Sequence, residues 1–185
     1  MKRTGLFFAA LFLIVLAARL CHSGILWAEE GLPLAAAAEM LRGKVLYRDI
    51  WFDKPPFLAY VYLLWGSHIG WILRLAGAVY VLASAAVTWR FARDLWGRRE
   101  ALWAAGLLAF FLTFEIPSAA LPLAADLLMV LPHVAAVYFA SQGRGFWSGV
   151  CAGVAFLFNA KGVFVAATCA VWLFPGVLFF GLGFL

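Results

Sequence analysis

The stretch FWSGVCAGVAFLFNAKGVFVAATCAVWLFPGVLFFGL, residues 146–182, contains a single charged side chain, Lys161. About 20 consecutive apolar residues are enough for a helix to cross the hydrocarbon core of a bilayer. The stretch therefore indicates that lipid, rather than water, surrounds this part of the chain. We place the last hydrophobic segment at 146–184, which is long enough for two helices.

The composition of the whole chain agrees with this interpretation. Of the 185 residues, 66% are hydrophobic and 12% are charged, whereas soluble domains are nearer half apolar and a quarter charged. These fractions exclude a disordered chain, a nucleic-acid-binding module and an ordinary cytosolic enzyme. The three cysteines, Cys21, Cys151 and Cys169, have no CxxC spacing, so they predict neither a zinc site nor a disulfide framework.

Hydrophobic segments recur along the chain and predict an all-α, polytopic membrane protein with about six transmembrane helices. The segments are 5–26, 74–92, 100–114, 121–140 and 146–184, in a single membrane domain, 1–185. Lys2 and Arg3, placed before an apolar run, also fit the start of a signal peptide. No clear cleavage site follows that run, so we expect an uncleaved first helix.

The placement of basic residues predicts the orientation. The formal net charge is +5, and residues 90–100 carry four arginines against two acids. Because Lys and Arg accumulate in cytoplasmic loops, this segment, Arg144 and the N-terminus are predicted to lie inside, at the cell inner (plasma) membrane. The order of segments then requires 56–71 to lie on the outer surface as a juxtamembrane helix. It belongs to an outer loop, 27–73, in which 33–42 is a second short helix.

Three separate parts of the chain bring ionisable side chains to the outer face. Asp126 lies in the outer half of segment 121–140, and Lys161 lies at the outer turn of the last segment. The loop carries five of the nine acidic residues, Glu29, Glu30, Glu39, Asp49 and Asp53. Ionisable groups at bilayer depth are costly and mark functional sites by default. This convergence predicts a site at the outer face.

Each candidate has a structural alternative that the sequence leaves open. The pair Glu29-Glu30 is either a general base with its neighbour or the solvated start of a loop. Lys54, in the rigid Asp-Lys-Pro-Pro corner at 53–56, either contacts a phosphate or extends to the membrane surface. Lys161 is either functional or an interfacial anchor, and Arg74 either binds a phosphate or snorkels. No GxSxG, HExxH or P-loop motif supports a serine hydrolase, a zincin or an NTPase.

The order of the motifs is itself informative. An arginine near the end of the first helix precedes an acidic pair with glycine, an Ala-rich helix ending in glycine, a Tyr-x-Asp motif, a KPP box and an arginine that opens the next helix. These are Arg19, Glu29-Glu30-Gly31, residues 34–43, Tyr47-Arg48-Asp49, Asp53-Lys54-Pro55-Pro56-Phe57 and Arg74. This order resembles the N-terminal part of the C-superfamily membrane glycosyltransferases. The most similar group is the bacterial branch related to protein O-mannosyltransferases and lipid A aminoarabinose transferases.

The resemblance implies an integral membrane enzyme that takes a sugar from a polyprenyl-phosphate donor. The sugar would pass, usually with inversion at the anomeric carbon, to a lipid, glycan or protein acceptor on the outer face. Glu29 would act as the base, with Glu30 beside it. The family more often has Asp-Glu at this place, so Glu29 is a departure that adds one methylene of reach.

The resemblance also implies further site residues and partners. Lys54 and Arg74 would bind the donor phosphate, and Asp53, Asp126 and Lys161 are additional candidates. No metal-ligand set is indicated, a divalent cation is left open as cofactor, and no nucleic-acid partner is expected.

Length separates this chain from the family, whose members usually have several hundred residues. We therefore expect an N-terminal fragment of a larger glycosyltransferase, with no transfer by these 185 residues alone. The alternatives are an inactive truncated remnant and a non-enzymatic transporter or assembly subunit. A transporter would pair Asp126, Lys161 and Arg74 along a water path.

Overall fold

The structure, a computed structural model, describes residues 2–174 and 183. The all-α prediction is confirmed, since within these residues the only β pairing is an isolated bridge between Leu46 and Ile50. In chain order the helices are α1 (Lys2–Leu20), α2 (Ala28–Leu41), α3 (Phe57–Leu63), α4 (Trp71–Trp96), α5 (Arg98–Phe114), α6 (Pro117–Ala120), α7 (Ala125–Ser141), α8 (Gly145–Phe158) and α9 (Gly162–Trp172).

The longer helices alternate in direction and meet at two ends. At one end, the Arg98 guanidinium donates to Thr4 Oγ1 (2.9 Å), which joins the α4–α5 turn to the start of α1. Tyr138 near the end of α7 donates to Asp94 Oδ2 (2.9 Å). We call this the basic end, and it contains the segments that the positive-inside argument predicted to share one side, including Arg144.

The opposite end, which we call the site end, holds the turns α1–α2, α5–α7 and α8–α9. Asn159 Nδ2 donates to Asp126 Oδ1 (2.8 Å), which joins the end of α8 to the start of α7. The two helices of the predicted outer loop, α2 and α3, pack on each other, and Ser67 Oγ donates to the Leu34 carbonyl (2.8 Å).

Small residues allow the central helices to approach closely. The buried residues of α5 are Ala101, Ala105, Ala109 and Thr113, which share one helix face because they are four positions apart. On α4 the buried residues include Ala78 and Ala85, and the two helices contact each other extensively. Such alanine seams are typical of helix packing in membranes.

Two helices are long and apolar enough to cross a membrane, Arg3–Leu20 and Trp71–Trp96. The helices α7, α8 and α9 are apolar but shorter. Because a helix rises about 1.5 Å per residue, the 14 residues of α8 span about 21 Å of a hydrocarbon core about 30 Å thick. Among the described residues, these two helices are therefore the ones long and apolar enough to cross a membrane. The total of six transmembrane helices stays a prediction.

Several boundaries differ from the predicted ones. The first helix ends at Leu20 rather than at residue 26. The predicted segment 121–140 begins only at Ala125, and before it the Leu121 carbonyl accepts from Arg19 while the Leu123 N–H donates to Glu30. The segment 146–184 divides at 159–161, and its residues 175–182 and 184 lie outside the described ones.

The outer loop also differs in detail. The second helix spans Ala28–Leu41 rather than 33–42, so Pro33 lies inside it and the acidic pair occupies its first turn. The predicted helix 56–71 is only Phe57–Leu63. Between the two helices, Asp49 Oδ2 accepts the Val45 N–H (2.9 Å) and closes a loop over residues 45–49.

Candidate active site

Glu30 and Arg74 form a buried ion pair at the site end. Arg74 Nη1 lies 2.7 Å from Glu30 Oε1, and Arg74 Nη2 lies 2.8 Å from Glu30 Oε2. Their side chains are 0% and 1% exposed. Two parallel N–H···O bonds give both strength and a fixed orientation. The pair therefore attaches the first turn of α2 to the first turn of α4.

Backbone amides occupy the remaining acceptor sites of Glu30. The Leu123 N–H donates to Oε1 (2.9 Å), and the Trp27 N–H donates to Oε2 (3.3 Å). The second bond is the half of a capping box in which the third residue of a helix reaches back to the residue before it. With four donors bound, Glu30 has no oxygen turned toward a substrate. Its geometry is that of a structural residue rather than of the second catalytic acid predicted beside Glu29.

Arg74 is likewise fully engaged through its terminal nitrogens. Besides the two Glu30 oxygens, Nη2 donates to the Ile25 carbonyl (2.7 Å) and Nη1 to the Leu121 carbonyl (3.3 Å). The predicted contact with a donor phosphate would require these bonds to break. Breaking one partner from a buried ion pair typically costs about 3–5 kcal/mol.

Arg19 completes the buried group, which we call the arginine cluster (Arg19, Glu30 and Arg74). It is 0% exposed, and its guanidinium donates to the carbonyls of Leu121 (2.8 Å), Leu112 (3.0 Å) and Ala120 (3.0 Å). The Nε–H groups of both arginines are buried and have no acceptor among the described residues. Two arginines with one carboxylate leave one excess positive charge beneath the site end.

Gly77 makes room for Arg19. A Cβ at this position on α4 would lie 2.5 Å from Arg19 Nη1, closer than any ordinary contact. The glycine follows Arg74 by three positions and therefore lies on the same helix face. The sequence carried no signal for this pairing, because it joins residues of two distant segments.

An exposed group of polar side chains lies at the same end, and we call it the surface cluster (Glu29, Asp126, Asn159 and Lys161). Lys161 Nζ lies 2.9 Å from Asp126 Oδ1, which also accepts from Asn159 Nδ2 (2.8 Å). The Lys161 N–H donates to Asn159 Oδ1 (3.0 Å). The Asp126 carboxylate raises the pKa of Lys161, and the nearby charge of Glu29 raises it further. Asp126 and Lys161 are therefore in direct contact, and Glu29 lies near enough for its charge to act on Lys161.

The two adjacent glutamates differ in their exposure to solvent. Glu29 is exposed beside the surface cluster, whereas Glu30 is fully buried in the arginine cluster. On a helix, consecutive side chains point about 100° apart, so one of them can face solvent while the other enters the core. Of the two predicted catalytic acids, Glu29 is the one with an accessible carboxylate.

The predicted Asp-Lys-Pro-Pro corner lies next to the surface cluster. Asp53 and Lys54 are half-exposed, with Lys54 Nζ 3.6 Å from Asp53 Oδ2. The Phe57 ring, three residues later, contacts Phe158 edge-on, with ring centroids 5.7 Å apart. Phe158 directly precedes Asn159, so the corner is held at the end of α8. The Tyr47 hydroxyl donates to the Lys54 carbonyl (2.6 Å) and orders the backbone there.

An apolar groove of about 480 Å³ adjoins these clusters. It runs between α3, α4, α7 and α8, and its lining includes Leu123, Phe158 and Trp65. Leu123 also contributes the amide that binds Glu30, so the groove borders the arginine cluster. The Trp65 Nε1–H is buried and has no acceptor among the described residues.

Tyr62 and Asn159 contribute to the site although the sequence did not single them out. The Tyr62 hydroxyl donates to the Leu123 carbonyl (3.0 Å), and burial raises its pKa, so it stays a donor. A tyrosine in an apolar helix and an asparagine before a lysine carry too weak a sequence signal to be identified. In residues 2–174 and 183, no three His, Cys, Asp or Glu side chains are grouped to hold a metal ion.

The arrangement offers the accessible carboxylates of Glu29 and Asp126, the accessible lysines Lys54 and Lys161, and an apolar groove at one end of a helix bundle. Such a set can accept a proton, contact an anion and accommodate a hydrocarbon chain. Comparisons of the chain with protein-family models, with curated proteins and with solved structures find no match.

Proposed function

We propose that the chain is a multi-pass plasma-membrane protein of the glycosyltransferase type, with six crossings and its site end outside. It takes part in transfer of a sugar from a polyprenyl-phosphate donor to an acceptor on the outer face. The observation that carries this proposal is the Asp126–Lys161 ion pair at the site end, with the charge of Glu29 acting on Lys161 and with the corner that holds Lys54 anchored nearby by the Phe57–Phe158 contact. The motif order described above supplies the choice of reaction.

Glu29 is the base in this proposal. Its carboxylate takes the proton of the acceptor hydroxyl as that oxygen attacks the anomeric carbon. The bond between the anomeric carbon and the phosphate oxygen breaks, and polyprenyl phosphate leaves with the electron pair. Attack from the face opposite the leaving group inverts the configuration.

Lys54 and Lys161 stabilise the phosphate in the proposed reaction. The leaving group is an anion in a poorly screened environment, where a nearby positive charge has a larger effect than in water. Both lysines are accessible, whereas Arg74 is engaged by Glu30. We therefore assign Arg74 and Glu30 to positioning, because they fix the helix turn that carries Glu29.

The apolar groove is the proposed site of the first isoprene units. It is lined almost entirely by carbon, and it lies between helices rather than in the polar loop. A polyprenyl chain entering from the bilayer would bring its phosphate to the end of the groove at Phe158. That residue lies between the groove and Asn159-Ala160-Lys161.

The ion pairs of the structure favour the transporter alternative less than the transferase. A transporter would have Arg74, Asp126 and Lys161 paired along a water path. Asp126 and Lys161 do pair, but their side chains are 63% and 62% exposed at the end of the bundle. Arg74 pairs with Glu30 instead and is buried.

Donor binding tests the proposal without requiring turnover. The full chain in detergent is titrated with a short polyprenyl-phosphate mannose, and bound donor is measured by native mass spectrometry. Lys54→Ala should weaken binding about tenfold to 150-fold, since hydrogen bonds to charged groups contribute about 1.5–3 kcal/mol. Lys44→Ala is the matched control, because Lys44 lies in the same loop and, like Lys54 with Asp53, has a carboxylate partner, Glu39.

Two results would count against the proposal. The first is equal affinity for the phosphorylated donor and for the same polyprenol without phosphate. The second is an equal effect of Lys44→Ala and Lys54→Ala, which would indicate general attraction to a basic loop rather than a defined phosphate contact.

A further inference from the structure

A second groove lies at the basic end, far along the bundle from the arginine cluster. It is about 690 Å³ in volume and lies between α1 and the α4–α5 turn. Its lining includes Thr4, Phe8, Trp89, Arg90, Arg93 and Arg98. Three guanidinium groups therefore border one groove whose remaining lining is largely apolar.

The positive charge of this groove is only partly neutralised. Asp94 is the carboxylate bonded there, with its Oδ2 3.2 Å from Arg90 Nε and its Oδ1 3.5 Å from Arg93 Nη2. Arg98 is bonded to a neutral hydroxyl, that of Thr4 (2.9 Å). Three arginines against one aspartate leave an excess of two positive charges, which favours an anionic occupant.

The floor of the groove is aromatic. The rings of Phe8 and Trp89 meet edge to face, with centroids 6.0 Å apart, and the Arg93 guanidinium lies 4.6 Å above the Trp89 ring. An apolar floor and a basic rim together fit an amphipathic molecule with an anionic head.

We infer that this groove binds an anionic phospholipid of the inner leaflet. The phosphate lies between Arg93 and Arg98, and an acyl chain lies along Phe8 and Trp89. Cytoplasmic leaflets are rich in anionic lipids, and basic pockets between transmembrane helices on that side bind their head groups. The inference rests on the proposed membrane orientation but not on the proposed sugar transfer.

The probe is dioctanoyl phosphatidylglycerol, and dioctanoyl phosphatidylcholine is the zwitterionic comparison. Each is titrated into the full chain in neutral detergent, and bound lipid is counted by native mass spectrometry. We expect the anionic lipid to bind at least about tenfold more tightly. Arg93→Gln and Arg98→Gln should each weaken it about fivefold, since one basic residue near an anionic surface contributes about 1 kcal/mol.

Arg99→Gln is the matched charge control. It removes the same charge one residue along, but Arg99 lines a different groove, between α1 and α5. Its effect should be less than about twofold if the site is specific rather than a diffuse field. Ala86→Trp blocks the groove while keeping every arginine, because Ala86 lines it and is exposed. This variant should lose the preference for the anionic lipid.

Three results would overturn the inference. Equal binding of the two lipids would remove the charge recognition. An Arg99→Gln effect as large as that of Arg98→Gln would indicate general attraction of the lipid to basic residues rather than binding in the groove. Displacement of the lipid by inorganic phosphate at a comparable concentration would show a free-anion site. Failure of polyprenyl-phosphate binding, by contrast, would affect the proposed function and leave this site untouched.

Discussion

Arg74 on α4 and Glu30 on α2 lie 44 positions apart in the sequence and are joined by two bonds of 2.7 and 2.8 Å. The pair is inaccessible to solvent, while the adjacent Glu29 is exposed. One helix turn thus carries two carboxylates with different roles, one holding the fold and one facing the surface cluster.

The first prediction concerns stability. Glu30→Gln should lower the free energy of unfolding by about 3–5 kcal/mol, because it leaves Arg74 charged and buried without its counterion. Glu29→Gln should change stability little, since surface substitutions are usually within about 0.5 kcal/mol. Thermal unfolding in detergent, followed by loss of soluble protein, measures both. Equal losses from the two substitutions would contradict the division of roles.

The second prediction concerns the space beside Arg19. Gly77→Ala should destabilise the protein by about 1–3 kcal/mol, the usual range for overpacking, because the new Cβ would lie against a guanidinium fixed by three carbonyls. Gly31→Ala is the control, since a Cβ there meets nothing within 4 Å. That substitution should be neutral or should stabilise α2 by up to about 1 kcal/mol. The arrangement would be refuted by Gly77→Ala unfolding at the wild-type temperature.

The third prediction concerns pH. The Arg48 side chain and then the Val45 N–H hold the pKa of Asp49 below its ordinary value of 3.8. A lowered folded-state pKa contributes stability above the unfolded pKa and loses it as pH falls through the folded value. The loop 45–49 should therefore open only below about pH 3.8. Hydrogen exchange, corrected for the intrinsic rate, should show this opening.

Asp49→Asn provides the comparison for the loop. Asparagine keeps an acceptor oxygen for the Val45 amide but does not titrate. Protection of residues 45–49 in this variant should not vary with pH in the same window. A pH dependence identical to that of the wild type would assign the opening to another group.

The fourth prediction concerns orientation. In a background with Cys21, Cys151 and Cys169 replaced by serine, a cysteine at Lys161 should react with an impermeant maleimide in intact cells. A cysteine at Arg98 should react only after lysis, because the two residues lie at opposite ends of the bundle and the basic residues predict that the end with Arg98 is inside. Labelling of Arg98→Cys from outside would reverse the orientation. Labelling of both cysteines from the same side would refute the prediction that the bundle crosses the membrane between its two ends.

The fifth prediction concerns the reaction. In a full-length relative of this chain that transfers sugar, the Glu29→Gln substitution should lower turnover by about 10²–10⁴-fold, the usual effect of losing a general base. Donor binding should change little, because the amide keeps the shape of the carboxylate. Asp126→Asn should act differently, by weakening the bond that orients Lys161 and therefore donor binding. Full turnover of Glu29→Gln would place the base elsewhere.

Composition and periodicity were sufficient for the class of fold. The apolar runs predicted helices throughout, and the basic residues predicted that the N-terminus, residues 90–100 and Arg144 belong to one side, because both signals are properties of local sequence. The same argument predicted that the loop 27–73, Asp126 and Lys161 share the other side. The helix boundaries were harder to predict from the sequence. For example, α7 begins at Ala125 rather than at residue 121, and the carbonyls of Ala120 and Leu121 before it bind Arg19.

The roles of the charged residues were decided only by the tertiary structure. The motif order assigned the base to Glu29, but nothing in the sequence indicated that Glu30 would be buried, and Arg74 looked as available to a phosphate as Lys54 did. Burial separates them, because a buried charge is stable only with partners, and those partners come from distant helices. Glu30 is bonded to Arg74 and to the Leu123 amide, whereas Glu29 is exposed to solvent within the surface cluster. Which acid remains free is therefore a property of the packed bundle.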